Sequence, residues 1–451
     1  MPAPRAARVV GGALVTRLLS HRTLLARLDE ERREDPAAMP PTALLVVEVD
    51  RWEELHCSRG GSVQRQTLAQ AAGRLRQAVT RRGILGDRTA LGQVSEAVFL
   101  VVLRGAAAGE PAGAAALLQE ALRARYEANG MPVYLTASCG AAPFTAAHAA
   151  AADAFADAMA ALAVARRRGG GARVVFDDAL RQGLAATFDI VSGLRQALES
   201  DGLVLYFQPI VALDTGALTG LEALLRWPQA DGQLRLPATF VEVAERSDLV
   251  VDIDRWVIEA ACRQLKAWLA RGLLDPTVPV SVNVSGLHFS RPDLLATIDR
   301  SLRATGLYGR SLTIEITESA MMRNAPFTRD MLAQLRALGV RVSIDDFGTG
   351  YASLANLRQF DVDALKIDRS FVARIDTDAQ CREIVKTVIA LAQGLGKRVV
   401  AEGIETQAQR NALRELGCRL GQGYLFARPA PAEAVPSLLH HPPTANDLFT
   451  V

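Results

Sequence analysis

Between roughly residues 204 and 426 one pattern recurs: a short apolar run of strand character, a polar side chain at or near its end, then a stretch of helical periodicity. The runs read YFQP, GLEALLRW, SVNVS, LTIEITES, RVSIDDFGTGY, ALKID and VVAEGIE. Strands alternating with helices restrict this segment to a parallel sheet or barrel. In a barrel the strand ends converge on one face, where active sites are built. The side chains delivered there are, in chain order, Gln208, Glu222, Asn283, Glu315, Asp345 with Asp346, Lys366 and Glu402.

Such a series has the composition of an oxygen-ligand cluster. Two divalent cations about 4 Å apart need several carboxylates, at least one bridging both ions, and a neutral amide where more charge would be excessive. Asp345 can bridge while Asp346 reaches the second ion; Glu222, Asn283 and Glu315 can complete the first shell and Glu402 can serve the second. A single acid at a strand end is ordinarily a helix cap or a solvated loop residue. Acids ending several successive apolar strands would repel one another without a cation. Six oxygen donors with no usable histidine or cysteine favour Mg²⁺ or Mn²⁺ over zinc.

Lys366 is one of only four lysines in the chain, so a compact ammonium is expected there where arginine is the habit. It can hold a phosphate oxygen or the attacking water, or it can simply pair with Asp368. The glycines of DDFGTGY permit a tight or mobile loop beside the paired aspartates. Glu318 is placed to receive that loop's amides or hydroxyls rather than a cation.

Composition bounds the rest. A chain of 451 residues divides into two or three domains. Its 51 basic and 49 acidic residues nearly cancel, which gives no bias toward a long nucleic acid. Five dispersed cysteines show no disulfide or zinc spacing, and a reducing cytoplasm fits them. The N-terminal apolar run is interrupted by Arg17 and lacks a cleavage site, so a secretory signal is not expected. No run of about twenty strongly apolar residues predicts a membrane span, and the chain is expected to be soluble.

Upstream, strands are predicted at 42–49, 97–103, 133–139 and 173–176, with alanine- and arginine-rich helices between them: a first α/β domain. The alanine-rich stretch 145–165 ends in ARRRGGGARVVF, which reads as helix, stop and edge strand rather than a nucleic-acid patch. The boundary is expected near 178–187, followed by a helix from about 188 to 200. After Pro429 a short helix and a loose tail are expected.

Residues about 188–435 resemble an EAL domain, the cyclic di-GMP phosphodiesterase module of bacteria. EALLRW carries the signature triplet, and YFQPI, SVNVS, EITES, DDFGTGY, KID, AEGIET and GQGYLFARP occur in the family's order. The resemblance implies a TIM-barrel-like α/β domain with an irregular first strand over 186–438. It implies two Mg²⁺ or Mn²⁺ ions per site on Glu222, Asn283, Glu315, Asp345, Asp346 and Glu402. Lys366 resembles the lysine near the catalytic water, and Lys366 or Glu402 assists with the water's proton. Glu318 resembles the loop-steadying glutamate; Gln208, Arg226, Asp368, Glu405 and Gln422 match positions that line the substrate or support the ligands. The implied reaction is hydrolysis of cyclic di-GMP to linear pGpG by in-line attack, and the implied assembly is a homodimer through about 351–372. Ala352 stands where the loop often has serine, and Asp248 where glycine is common.

Residues 14–180 resemble a GGDEF domain, the diguanylate cyclase module, stripped of its chemistry. Glu48 is left as a weak cation site, and His56, Cys57 and Arg65 occupy positions that would otherwise contact guanine or its surroundings. The signature turn falls at Val94–Val98 without either glycine, and Arg82 and Asp87 have the wrong separation for the product-inhibition motif. Cyclase activity is therefore not expected, and the domain is left a regulatory or scaffolding role, with an unidentified regulatory protein as a partner.

Overall fold

A computed structural model of the chain describes residues 18–36, 39–80, 89–349 and 358–440. Arg82, Asp87, Ala352 and the first part of the expected dimer segment 351–372 lie outside the described residues. The chain forms two compact units, Met1–Ala186 and Thr187–Val451.

The first unit contains strands β1 (Leu19–Ser20), β2 (Thr42–Val49), β3 (Ala90–Gln93), β4 (Val98–Arg104), β5 (Tyr126–Ala128), β6 (Met131–Val133), β7 (Ala137–Phe144) and β8 (Arg173–Val175). Six of them form one sheet in the order β1-β3-β4-β2-β7-β8, and β5 pairs with β6. Alternation along a strand sends neighbours to opposite faces. Accordingly Ala43, Leu45 and Val47 of β2 enter one core with Leu75 and Phe99, while Leu44 and Val46 enter another with Leu28 and Ala158.

The single strand expected at 133–139 is instead two. β6 ends at Val133, Tyr134 is exposed, and β7 begins at Ala137. The run ASCGAAPF reads weakly as strand because its residues are small, but small residues are what the neighbouring helix needs. A Cβ at Gly140 would lie 2.1 Å from the Leu162 nitrogen of helix Ala151–Arg167. That helix presents Ala151, Ala154, Ala158, Ala161 and Ala165 as its buried stripe, so its alanine content is a packing requirement. Residues 94–97 form the turn between β3 and β4, with the Val94 and Ser95 amides donating to the Val98 carbonyl.

The second unit is a closed barrel. Its strands are β9 (Val204–Ala212), β10 (Leu218–Pro228), β12 (Val280–Asn283), β13 (Leu312–Thr317), β14 (Arg341–Phe347), β15 (Ala364–Ile367), β16 (Arg398–Ala401) and β17 (Leu420–Gly421); short β11 (Leu234–Arg235) and β18 (Ala430–Pro431) flank it. From β10 through β17 the neighbours are parallel, whereas β9 runs antiparallel to both β10 and β17 and closes the ring. The eighth strand, β17, has only two residues, too short to register as an apolar run. Asp248, at the start of helix Leu249–Ala270, has φ 58, a left-handed conformation that glycine adopts freely and aspartate tolerates. The helix expected at about 188 to 200 begins earlier and spans Asp178–Glu199; within the second unit its Gly193 lies against the Trp227 ring, where a Cβ would approach to 2.7 Å.

Candidate active site

Register places the polar side chains on one end of the barrel. Gln208 faces Glu222 across the β9–β10 pair, and Asn283 pairs with Glu315 between β12 and β13. Adjacent residues of a regular strand point to opposite faces, so Asp345 and Asp346 could not ordinarily act together. The register between β14 and β15 shifts between Ile344 and Phe347, and Asp346 takes φ 53. This bulge re-aims the second side chain, and carboxylate oxygens from Asp345, Asp346 and Glu402 lie within 4.8 Å of one another.

Lys366 rises from β15 into the middle of the cluster and is 1% exposed. Its Nζ lies 2.5 Å from Glu315 Oε2 and from Glu402 Oε1, 3.3 Å from Glu222 Oε2 and 3.5 Å from Asp345 Oδ1. An ion pair with Asp368 is not what it forms: Asp368 caps helix Arg369–Val372 by accepting the Ser370 amide. Gln422 Nε2 donates to Glu222 Oε2 at 2.5 Å and Glu402 Oε1 at 3.0 Å, and Asn283 Nδ2 donates to Glu222 Oε1 at 2.8 Å.

One ammonium cannot neutralise four carboxylates, and the protonation preferences show the shortage. Burial pushes the Glu315 carboxyl well above its usual range, with Lys366 offsetting only part of this while Glu222 and Asp345 add to it. Glu402 is pushed up to about 8, chiefly by burial, against Lys366 and with Asp345 and Glu222. Burial and the adjacent Asp345 raise Asp346. Burial also opposes ionisation of Glu222, but Lys366 and the amide donors outweigh it and hold this carboxylate below its usual range. Burial works against the charged form of Lys366, yet the surrounding acids hold it well above its ordinary value. The site therefore has the donor set of a divalent-cation centre and an excess of negative charge to match. Gln422 Oε1 and Glu318 Oε1, both buried, also lack hydrogen-bond partners among the described residues.

The other predicted residues surround this centre at different depths. Buried Glu318 accepts the Gly348 amide through Oε2 at 3.1 Å, tying down the segment after Asp346. Gln208 is buried and donates to the Ala427 carbonyl. Arg226 lies over the Tyr206 ring, 5.5 Å from its centroid, and donates to the Leu225 carbonyl. Glu405 is exposed, and its backbone amide rather than its carboxylate is engaged, by Gln409. Asp254 escaped the sequence reading. It is buried, accepts the Ser285 amide and hydroxyl at 2.9 and 2.6 Å, and so fixes the turn that follows Asn283. Its place inside helix Leu249–Ala270 gives no strand-end signal.

Comparison with known proteins fits this geometry. The family model described as EAL domain matches residues 192–429, and the one described as Diguanylate cyclase, GGDEF domain matches residues 14–172. The bifunctional diguanylate cyclase/cyclic di-GMP phosphodiesterase MucR of Pseudomonas aeruginosa is 35% identical over 394 residues, covering 87% of this chain and 56% of MucR. The cyclic di-GMP phosphodiesterase NbdA of the same organism is 44% identical over 246 residues, covering 54% of this chain and 31% of NbdA. The chain thus spans about half or less of these curated relatives. A solved structure of PaMucR phosphodiesterase in complex with c-di-GMP is 42% identical, with a TM-score of 0.53, and covers 55% of this chain and 99% of that one. With an EAL match across more than half of its length and a GGDEF match ahead of it, the chain belongs to the EAL domain family.

Proposed function

We propose that the chain hydrolyses one phosphodiester of cyclic di-GMP to give linear pGpG, with two Mg²⁺ or Mn²⁺ ions at the mouth of the barrel. The observation that carries this reading is Lys366 shared among four carboxylates, a cluster short of positive charge. The activities named for MucR and NbdA and the ligand of the PaMucR structure supply the substrate.

Glu222, Asn283, Glu315, Asp345, Asp346 and Glu402 would hold the cations. When bound, divalent cations supply Lewis acidity and neutralise charge that develops on the phosphate. The chain's own side chains do the rest. Lys366 or Glu402, which lie 2.5 Å apart, assists with the proton of the attacking water. Gln422 fixes the carboxylates of Glu222 and Glu402 relative to each other. Arg226, without a carboxylate partner among the described residues, pairs with the phosphate that is not cleaved. Gln208, Asp368 and Glu405 line or support the substrate cleft, and Glu318 steadies the loop after Asp346.

The first unit acts as a scaffold or regulatory element without cyclase activity, because the turn at 94–97 lacks the glycines that let a backbone approach a triphosphate. The protein works in the reducing cytoplasm, as a homodimer through the EAL domain, and takes its input from a regulatory partner. Among the described residues no helix is long and apolar enough to cross a membrane, and all five cysteines are free.

Purified protein incubated with cyclic di-GMP and Mn²⁺ should accumulate pGpG, and EDTA should stop it. Binding of cyclic di-GMP without pGpG would instead make the chain a receptor. GTP alone should give no cyclic di-GMP; any product would restore the bifunctional reading.

A further inference from the structure

The end of the barrel opposite the carboxylates is where side chains ordinarily serve stability alone. Here it carries a cleft. Because β9 runs against its neighbours, the loop after it, 213–217, falls on this end, beside the start of β17. Between that loop, helix Gln407–Glu415 and the end of helix Ala379–Gly394 lie two adjoining cavities of about 1000 and 500 Å³ that share Gln393, Gly417, Arg419 and Leu420.

Among the described residues, the cavity walls hold Lys397, Arg398, Arg414 and Arg419 against only Asp214 and Glu415. Glu415 is already taken by Arg382 at 2.8 Å, and Lys397 lies 3.4 Å from Asp361. Arg398, Arg414 and Arg419 have no ion-pair partner among the described residues. A further guanidinium stands close by. Ser343 pairs with Ala364 and Ala364 with Arg398, so Arg341, two residues before Ser343 on β14, shares the side of the sheet that Arg398 occupies. Partial burial and the like charge of Arg341 hold the Arg398 guanidinium below its usual range, with the Asp363 carboxylate offsetting only part of this.

Guanidinia that outnumber the nearby carboxylates and form no direct ion pair favour an anion, and their planar forks match phosphate oxygens. Gln393 and Asn411 add neutral donors to the walls. Among the described residues no aromatic side chain lines either cavity, so nothing there would stack a nucleobase. We propose that this cleft binds a compact polyanion carrying phosphate groups, at a site separate from the catalytic end of the barrel. The two ends share strands: Arg398 opens β16, which leads to Glu402, and Arg419 precedes β17, which leads to Gln422.

Inorganic pyrophosphate, added in EDTA to keep cations out of the carboxylate cluster, is the probe. Calorimetry should give saturable binding, and Tm should rise beyond what chloride gives at equal ionic strength. The Arg414→Ala/Arg419→Ala double variant, whose two side chains are exposed, should fold with an unchanged basal Tm and bind at least about tenfold more weakly, the worth of a lost charge-assisted contact. If that variant does not fold, Arg419→Gln alone should show the weakening. Glu222→Ala should bind pyrophosphate as the parent does. Binding that does not saturate, that the arginine variants retain, or that Glu222→Ala abolishes overturns the assignment.

Discussion

Both units end an apolar strand in paired acidic residues, and they treat the charge in opposite ways. In the GGDEF unit Asp50, just after β2, accepts the Ser138 hydroxyl at 2.6 Å, the Thr136 hydroxyl at 2.7 Å and the Gly171 amide at 2.8 Å. Glu48 has Arg166 at 3.4 Å; burial lifts its carboxyl, and that arginine works against the lift. Asp50 is thus met from within the protein, while Glu48 Oε2 has no hydrogen-bond partner among the described residues and only the Arg166 charge beside it. In the EAL unit four carboxylates divide one ammonium, and two of them also share the Gln422 amide. A strand-end acid whose lone pairs are filled by hydroxyls and backbone is holding a loop in place. A group of acids left short of positive charge is a place for something that arrives from solution.

The contrast can be broken most forcefully at Lys366. Lys366→Met leaves the buried carboxylates without their shared cation and should cost about 3–5 kcal/mol of stability in EDTA, with part of the loss recovered in Mn²⁺; thermal or denaturant unfolding with and without the metal reads this. Glu222→Ala should lower kcat for pGpG formation by about 10²–10³-fold while the fold persists; near-normal turnover would sink the metal assignment. In the parent protein, Mn²⁺ at about 100 times its Kd should add about 2.7 kcal/mol to unfolding of the EAL unit. The GGDEF unit, with Asp50 tied down and only Glu48 left as a weak site, should gain far less, and amide hydrogen exchange of the whole chain, followed peptide by peptide with and without Mn²⁺, would separate the two. The smallest effect is expected from Asp50→Asn, about 1–2 kcal/mol of stability lost from the GGDEF unit with turnover unchanged. A large drop in turnover there would show that this acid is more than a loop tether.

The elements legible in the sequence were those in which period and chemistry coincide. Asn283, Glu315, Asp345 and Glu402 could be read because each closes or nearly closes an apolar run, and a barrel gathers such ends whatever its loops do; Glu222 lies midway along β10 instead, because that strand continues to Pro228. β17 could not be read, since two residues have no period, nor could β7, whose small residues are selected by the approach of a helix from elsewhere in the chain. The bulge that turns Asp345 and Asp346 the same way depends on pairing with β15, a contact that sequence does not display. The depth of Lys366 is likewise a property of the closed ring. Its type marked it out, but only closure surrounds it with four acids.

Reversal of β9 has a mechanical consequence. In a barrel whose strands all run one way, the chain enters at the base; here β9 starts at the catalytic rim, Val204 facing Arg226, so the preceding helix delivers the chain to that rim. Its Gly193 rests on Trp227, the next residue after Arg226. Within the second unit this helix therefore packs directly on the strand that carries Arg226, at the end of the barrel where the carboxylates gather. The one backward strand is what brings the end of this helix to the carboxylate end of the barrel rather than to its base.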